Sequence, residues 1–313
     1  MVLLAVYGVA CMLGCLGSAF CNGGILLKSA VAVIIAVAII FTGSVTNNNS
    51  SVFDPWWSIA PPLMVLYFFY LATSQQPWDI RSADHGHLLA VRNDLNELNH
   101  FTVHSTRVMV LLLLTLSYSV RLTWNFLRGW PGLSREDWRY ADFRRNTGKA
   151  YWPVSFLGIH FFPALMVFGG TLSIWVTVVQ GFRPLNIMDF VAVVVTGIAV
   201  FLEATADRQL RNFVNENRGS GRTMNQGLWS LSRHPNYLGE ILFWWGLYFF
   251  ALAANPTFWW VIIGPLAITL MFIFISIPMI EKRLLASRSD YKFYREKVSM
   301  LIPLKTSTTS TTS

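Results

Sequence analysis

Charge is scarce in this sequence: 13% of its 313 residues are Asp, Glu, Lys or Arg, against about a quarter in an average soluble domain. So few charges argue against a water-facing globular surface and point to lipid as the solvent. Cysteine is nearly absent too. Cys11, Cys15 and Cys21 all lie in or beside the first apolar run with no histidine among them, which argues against zinc and leaves small apolar packing residues. A Gly-rich dinucleotide loop is missing, because Gly219-Ser220-Gly221 is too short and has no strand before it. No metal is expected either. His85, His87, His100 and His104 cluster between Gln75 and Arg107, but without a clear ligand pattern they read as surface histidines.

What is abundant is apolar and aromatic: 54% of residues are hydrophobic, with 13 Trp and 23 Phe. Trp and Tyr favour the membrane interface, where an amphipathic ring sits at headgroup level. A helical crossing needs about 20 mainly apolar residues. Eight runs qualify: Val2 to Phe20, Ile25 to Phe41, Trp57 to Ala72, Val108 to Phe126, Val154 to Val179, Met188 to Leu202, Leu238 to Ala254 and Phe258 to Ile280. Trp57 to Ala72 and Met188 to Leu202 are short, and seven crossings is the competing count. The first run has no positive leading segment and is followed at once by a second, so it reads as a retained helix rather than a signal peptide. The fold class is therefore all-α, a polytopic helical bundle. It is expected as a single transmembrane domain over 1–305, with a core at 105–303 and a disordered Ser/Thr tail at 306–313.

The net charge of +8 is concentrated in blocks. Arg128 to Lys149, Asp207 to Arg233 and Glu281 to Lys305 hold eighteen of the twenty-four basic residues. With eight crossings these blocks follow the fourth, sixth and eighth, on one side, which the positive-inside rule makes cytosolic. Both termini are then expected in the cytosol. Basic loops between apolar runs suit a bilayer rather than nucleic acid, which is not expected as a partner. The Asn47-Asn48-Asn49-Ser50-Ser51 stretch reads as polar decoration on the same side, where its glycosylation sequons would be silent.

Chemistry-bearing residues gather at the cytosolic ends. Glu203, Asp207 and Arg211, at i, i+4 and i+8, form one polar helical stripe. Ser232-Arg233-His234-Pro235-Asn236-Tyr237-Leu238-Gly239-Glu240 follows a turn. Pro235 suits the first turn of a helix, whose free N–H groups favour an anion, with Arg233 and His234 just before it. Asn236 and Glu240 share a face, and a carboxylate inside an apolar span implies a hydrogen-bonding pocket. Arg121 and Asn125, with Arg128 near their face, close the fourth run and lead to Glu136-Asp137-Trp138-Arg139-Tyr140.

The stretches Arg233 to Glu240, Trp244-Trp245-Gly246, Arg121 to Trp130 and Glu136 to Tyr140 together resemble the DUF1295 membrane proteins of the steroid 5-alpha-reductase C-terminal-domain superfamily. The resemblance covers roughly 54–303. It implies an NADPH-dependent oxidoreductase that reduces a carbon–carbon double bond of a steroid- or lipid-like substrate. It places Asn236 and Glu240 towards the nicotinamide, Asn125, Arg128, Asp207, Arg211 and Arg233 around the ribose and phosphates, and Arg283 and Tyr291 in the closing wall, with His234 and Tyr237 as further cofactor-binding candidates. It implies residence in the endoplasmic reticulum of a eukaryotic source. The family's substrate-carbonyl acid and tyrosine have no alignable counterpart here, which leaves Asp54, Tyr118 and His160 as candidates for the proton donor. Arg-His-Pro-x-Tyr also occurs in isoprenylcysteine methyltransferases. An S-adenosylmethionine-dependent methyltransferase and a non-catalytic lipid-binding protein of the same fold are thus the alternatives.

Overall fold

The computed structural model describes residues 2–74 and 87–303, with no account of side chains at 87–104. His85, the side chains of His87, His100 and His104, and the Ser/Thr tail lie outside the described residues. Among those described there is no strand, only an isolated bridge between Ser232 and Ser299. This follows from composition: in lipid a backbone must satisfy its polar groups within its own segment, and a helix does so.

Eight segments are long and apolar enough to cross a membrane, matching the expected count. The helices are α1 (Val2–Ala19), α2 (Ile25–Thr46), α3 (Trp56–Ser74), α4 (His87–Gly129), α5 (Trp138–Thr147), α6 (Tyr151–Ser155), α7 (Phe162–Val179), α8 (Ile187–Glu216), α9 (Pro235–Ala254), α10 (Ile263–Met271), α11 (Ile277–Ser287) and α12 (Tyr291–Lys297). The run expected to be short at Met188 to Leu202 is part of a 30-residue helix, α8. Hydropathy fails past Leu202, but Glu, Ala, Arg, Gln and Leu there are good helix formers, so the helix continues as a polar extension. The third crossing likewise gains a 3₁₀ turn at Ser50–Phe53 before α3.

By packing, the chain divides into two compact units, Met1–Asp189 with Tyr248–Gly264, and Phe190–Leu247 with Pro265–Ser313. This is a finer division than the single domain anticipated over 1–305.

The first unit is fastened at both ends of its helices. At one end the linker between α2 and α3 meets the loop after α4. Asn49 Nδ2 donates to the carbonyls of Leu133 (3.1 Å) and Arg135 (3.3 Å), the Ser50 N–H to Glu136 Oε1 (2.8 Å), and the Asp137 N–H to Ser51 Oγ (2.9 Å). Arg144 grips Glu136 through two nitrogens and lies 3.9 Å from the centre of the Tyr151 ring. Asn49, Ser50 and Ser51 are no more than 1% exposed. They are therefore not the surface decoration expected: a short linker between apolar helices must satisfy its polar groups inside the protein.

At the other end Arg107, 1% exposed, forms a two-pronged ion pair with Asp189 (2.7 and 2.9 Å) and donates to the carbonyls of Arg183 and Pro184. The tight turn at Asn255-Pro256-Thr257 is present as expected. Asn255 Oδ1 accepts from the Thr257 N–H and hydroxyl, while its amide donates to the Gln180 carbonyl (2.9 Å).

Candidate functional site

The polar stripe of the second unit rests on close helix packing. A Cβ added to Gly239 of α9 would lie 2.9 Å from the Ala199 carbonyl oxygen and from Glu203 Cβ of α8. Only a small residue permits that approach, as at helix crossings in membranes. It brings Asn236 of α9 to Asp207 of α8, Nδ2 to Oδ1 at 3.3 Å. Glu203 and Glu240 are buried at 4% exposure, and Glu240 accepts from the Trp244 indole at 3.0 Å. Asp207, Arg211, Asn236 and Tyr237 are half-buried. The expected stripe and the face shared by Asn236 and Glu240 thus form one polar seam between two apolar spans.

The loop after α8 folds back on it. Gly219 and Gly221 take positive φ, making the expected turn. The Trp229 indole donates to the Ala206 carbonyl (3.0 Å), and its ring packs with Ala206 and Met224.

Arg233 and His234 were expected just before α9 as an anion grip. Both are instead turned into the protein. Arg233 Nε donates to Glu281 Oε1 at 2.8 Å, and its Nη1 to the carbonyls of Arg295 (3.0 Å) and Val298 (2.6 Å). His234 Nε2 lies 3.0 Å from the same carboxylate oxygen. A carboxylate only accepts, so Nε2 carries the ring proton of the neutral imidazole. Burial lowers the His234 pKa, and the hydrogen bond to Glu281 opposes the shift without cancelling it. Arg295 reaches Glu281 Oε2 at 3.1 Å. Tyr291 is buried too. Burial pushes its phenol pKa up, and the Glu281 charge beside it adds to the shift.

The sequence-derived residues therefore fall into three sets. Arg233, His234 and Tyr291 belong to the Glu281 hub. Asp207, Arg211, Asn236, Tyr237 and Glu240 belong to the polar seam, and Arg283 is exposed on α11. Asn125 and Arg128 lie on α4 in the first unit, where the Arg128 guanidinium sits 4.8 Å from the Trp124 ring centre. Glu281 and its hub were missed by sequence reading. The only available signal was a carboxylate at the end of the last apolar run.

Of the proton-donor candidates, Tyr118 is fully buried in α4. His160 sits in a π-helical turn, Phe156–Phe161, bonded to Ser44 Oγ (2.9 Å) and to the Ser155 carbonyl (3.0 Å) with Phe41 and Phe53 against its ring. That reads as packing. Asp54 differs, because its carboxylate accepts from the Tyr140 hydroxyl and lies 3.8 Å from Arg139. If Asp54 is protonated the bond can reverse, which frees the phenol O–H to donate elsewhere. Sequence reading had named Asp54 without its partner.

NADPH needs accessible cations for its phosphates and a donor–acceptor pair for its ribose hydroxyls. Of the residues expected to meet it, Arg211 is half-buried and Arg283 exposed, Asp207 and Asn236 form a donor–acceptor pair, and Arg233 is taken up by Glu281. Among the described residues no group of three or more His, Cys, Asp or Glu is placed to hold a metal ion.

Eight apolar crossings around buried polar seams define an α-helical polytopic membrane protein. The chain matches the DUF1295 family, described as proteins of unknown function, over residues 40–298. It belongs to that family, a steroid 5-alpha-reductase-like group. It is also similar to uncharacterized protein C594.04c of Schizosaccharomyces pombe, with 28% identity over 225 residues covering 65% of each chain. No solved structure matches.

Proposed function

We propose that the chain is a membrane-embedded, NADPH-dependent reductase of a carbon–carbon double bond in a steroid- or lipid-like substrate. The observation that carries this reading is the Asn236–Asp207 contact, where the polar end of α8 with Glu203 and Arg211 meets the start of α9 with Glu240. Glu240 stands inside an otherwise apolar run, where an ionisable residue is costly and usually marks a ligand path. Membership of a steroid-reductase-like family supports the choice of reaction. In this reading the basic loops face the cytosol, where NADPH is available, and the termini lie on the same side. In a eukaryotic source the membrane in this reading is that of the endoplasmic reticulum.

Bound by such residues, NADPH supplies hydride to the β carbon of an activated double bond. The chain's own part is to hold the nucleotide through Arg211, Arg283, Asp207 and Asn236, to keep water out, and to deliver a proton. Of the first unit's candidates Asp54, Tyr118 and His160, Asp54 is the one bonded to a transferable phenol proton, that of Tyr140. One observation favours the non-catalytic reading instead: Arg233 and His234 are committed to Glu281. The test is to reconstitute the full chain and supply NADPH with α,β-unsaturated lipid ketones. The proposal expects NADPH oxidation matched by a product two hydrogens heavier, both slowed in Tyr140→Phe. No oxidation across such substrates, or methyl transfer from S-adenosylmethionine, would refute it.

A further inference from the structure

We infer that α12 and the residues after it form a docking surface for the anionic headgroups of the protein's own bilayer. The eighth apolar run closes at Ile280 and the seventh opens at Leu238, so Glu281 and Arg233, paired with each other, stand just outside the apolar spans. Between Ser287 and α12 the chain turns, with Arg288 extended at φ −135° and ψ 117°. From there α12 does not run away from the span.

It is tied back at several points. Tyr294 donates to the Trp229 carbonyl (2.5 Å), Arg233 holds the carbonyls of Arg295 and Val298, and the Arg233 N–H donates to the Ser299 carbonyl (2.9 Å). The Thr223 N–H and hydroxyl bind Asp290 at its start. These ties hold α12 against the loop that leads into α9.

Its two faces differ sharply. Tyr291 and Tyr294 turn inward at 2% and 7% exposure. Lys292, Phe293, Glu296 and Lys297 turn outward. Phe293 is 61% exposed, and Lys297 Nζ stands 4.1 Å from its ring centre; Ile302 is 59% exposed. Residues 282–297 hold six basic side chains against two acidic ones. Exposed apolar tips among lysines, tied to residues just outside the apolar spans, suit a layer that is apolar below and anionic above. Charge complementarity selects the occupant: lipids with a net negative headgroup, preferred over zwitterionic ones.

The test uses the full chain with a photo-reactive benzoylphenylalanine in place of Phe293, in nanodiscs of phosphatidylcholine containing about 30% phosphatidylglycerol. Cross-linked adducts are identified by mass. The expected result is lipid adducts in which phosphatidylglycerol exceeds its share of the bilayer at least about twofold. In Lys292→Gln/Lys297→Gln that excess falls to the bulk share while the thermal midpoint holds, because both lysines are exposed. Adducts only to the chain itself, adducts at the bulk ratio in the parent, or an excess unchanged in the double variant would each overturn the assignment.

Discussion

Arg233 and Glu281, 48 residues apart, form a buried ion pair at 2.8 Å, with neither side chain more than 9% exposed. Arg233 stands where an anion-binding cation was expected. Its partner shows that it closes the second unit by fastening the C-terminal segment to the loop before α9.

Removing one member of such a pair leaves the other charge buried and costs about 3–5 kcal/mol. Glu281→Ala is expected to lower the unfolding free energy by roughly that amount and to open the segment after Ser287 to trypsin before the rest of the chain. Arg233→Lys in the otherwise unchanged chain is expected to loosen the same segment, because an ammonium cannot reach one carboxylate and two carbonyls as the planar guanidinium does. Chemical unfolding in detergent and limited proteolysis measure both effects.

The same hub has a pH signature. The His234 pKa in the folded chain lies below its ordinary value of 6.5, so the unfolded chain takes up that proton first. Stability from this group is present above 6.5 and is lost as pH falls from there towards the lower folded value. Thermal midpoints recorded from about pH 7.5 down to about pH 5 are expected to fall in the parent. The fall is shallower in His234→Gln, whose amide does not titrate.

Arg107 and Asp189 do for the first unit what Glu281 does for the second. Asp189→Leu leaves a buried guanidinium and is expected to cost about 3–5 kcal/mol. Arg107→Leu/Asp189→Leu is expected to cost less than the sum of the single changes, because the two residues share one interaction. A double-mutant cycle on unfolding midpoints checks the sign of the coupling.

The crossings were legible in the sequence because lipid imposes a length and composition on each one. The polar seam was legible for a related reason: Glu203, Asp207 and Arg211 recur at helical spacing, and Asn236 and Glu240 do the same one crossing later. Contacts between distant segments were not legible. Nothing in the sequence around Asp54 announces Tyr140, and Asn49 to Ser51 resemble a solvated loop until Glu136 and Asp137 are seen to bind them. Arg233 takes a different partner from the one its position suggests, for a physical reason. A cation before a helix N-terminus suits an anion from any source, and here the anion is the chain's own Glu281.

The central claim, that the α8–α9 seam grips a dinucleotide, is tested most directly by titrating the detergent-solubilised full chain with NADPH, NADH and S-adenosylmethionine, and repeating the series on Asn236→Ala. The account predicts saturable NADPH binding, tighter than NADH, no binding of S-adenosylmethionine, and a loss of roughly tenfold in the variant, the size of one hydrogen bond to a charged group. A parent chain that binds no NADPH, or an Asn236→Ala chain that binds it as tightly as the parent, would contradict it.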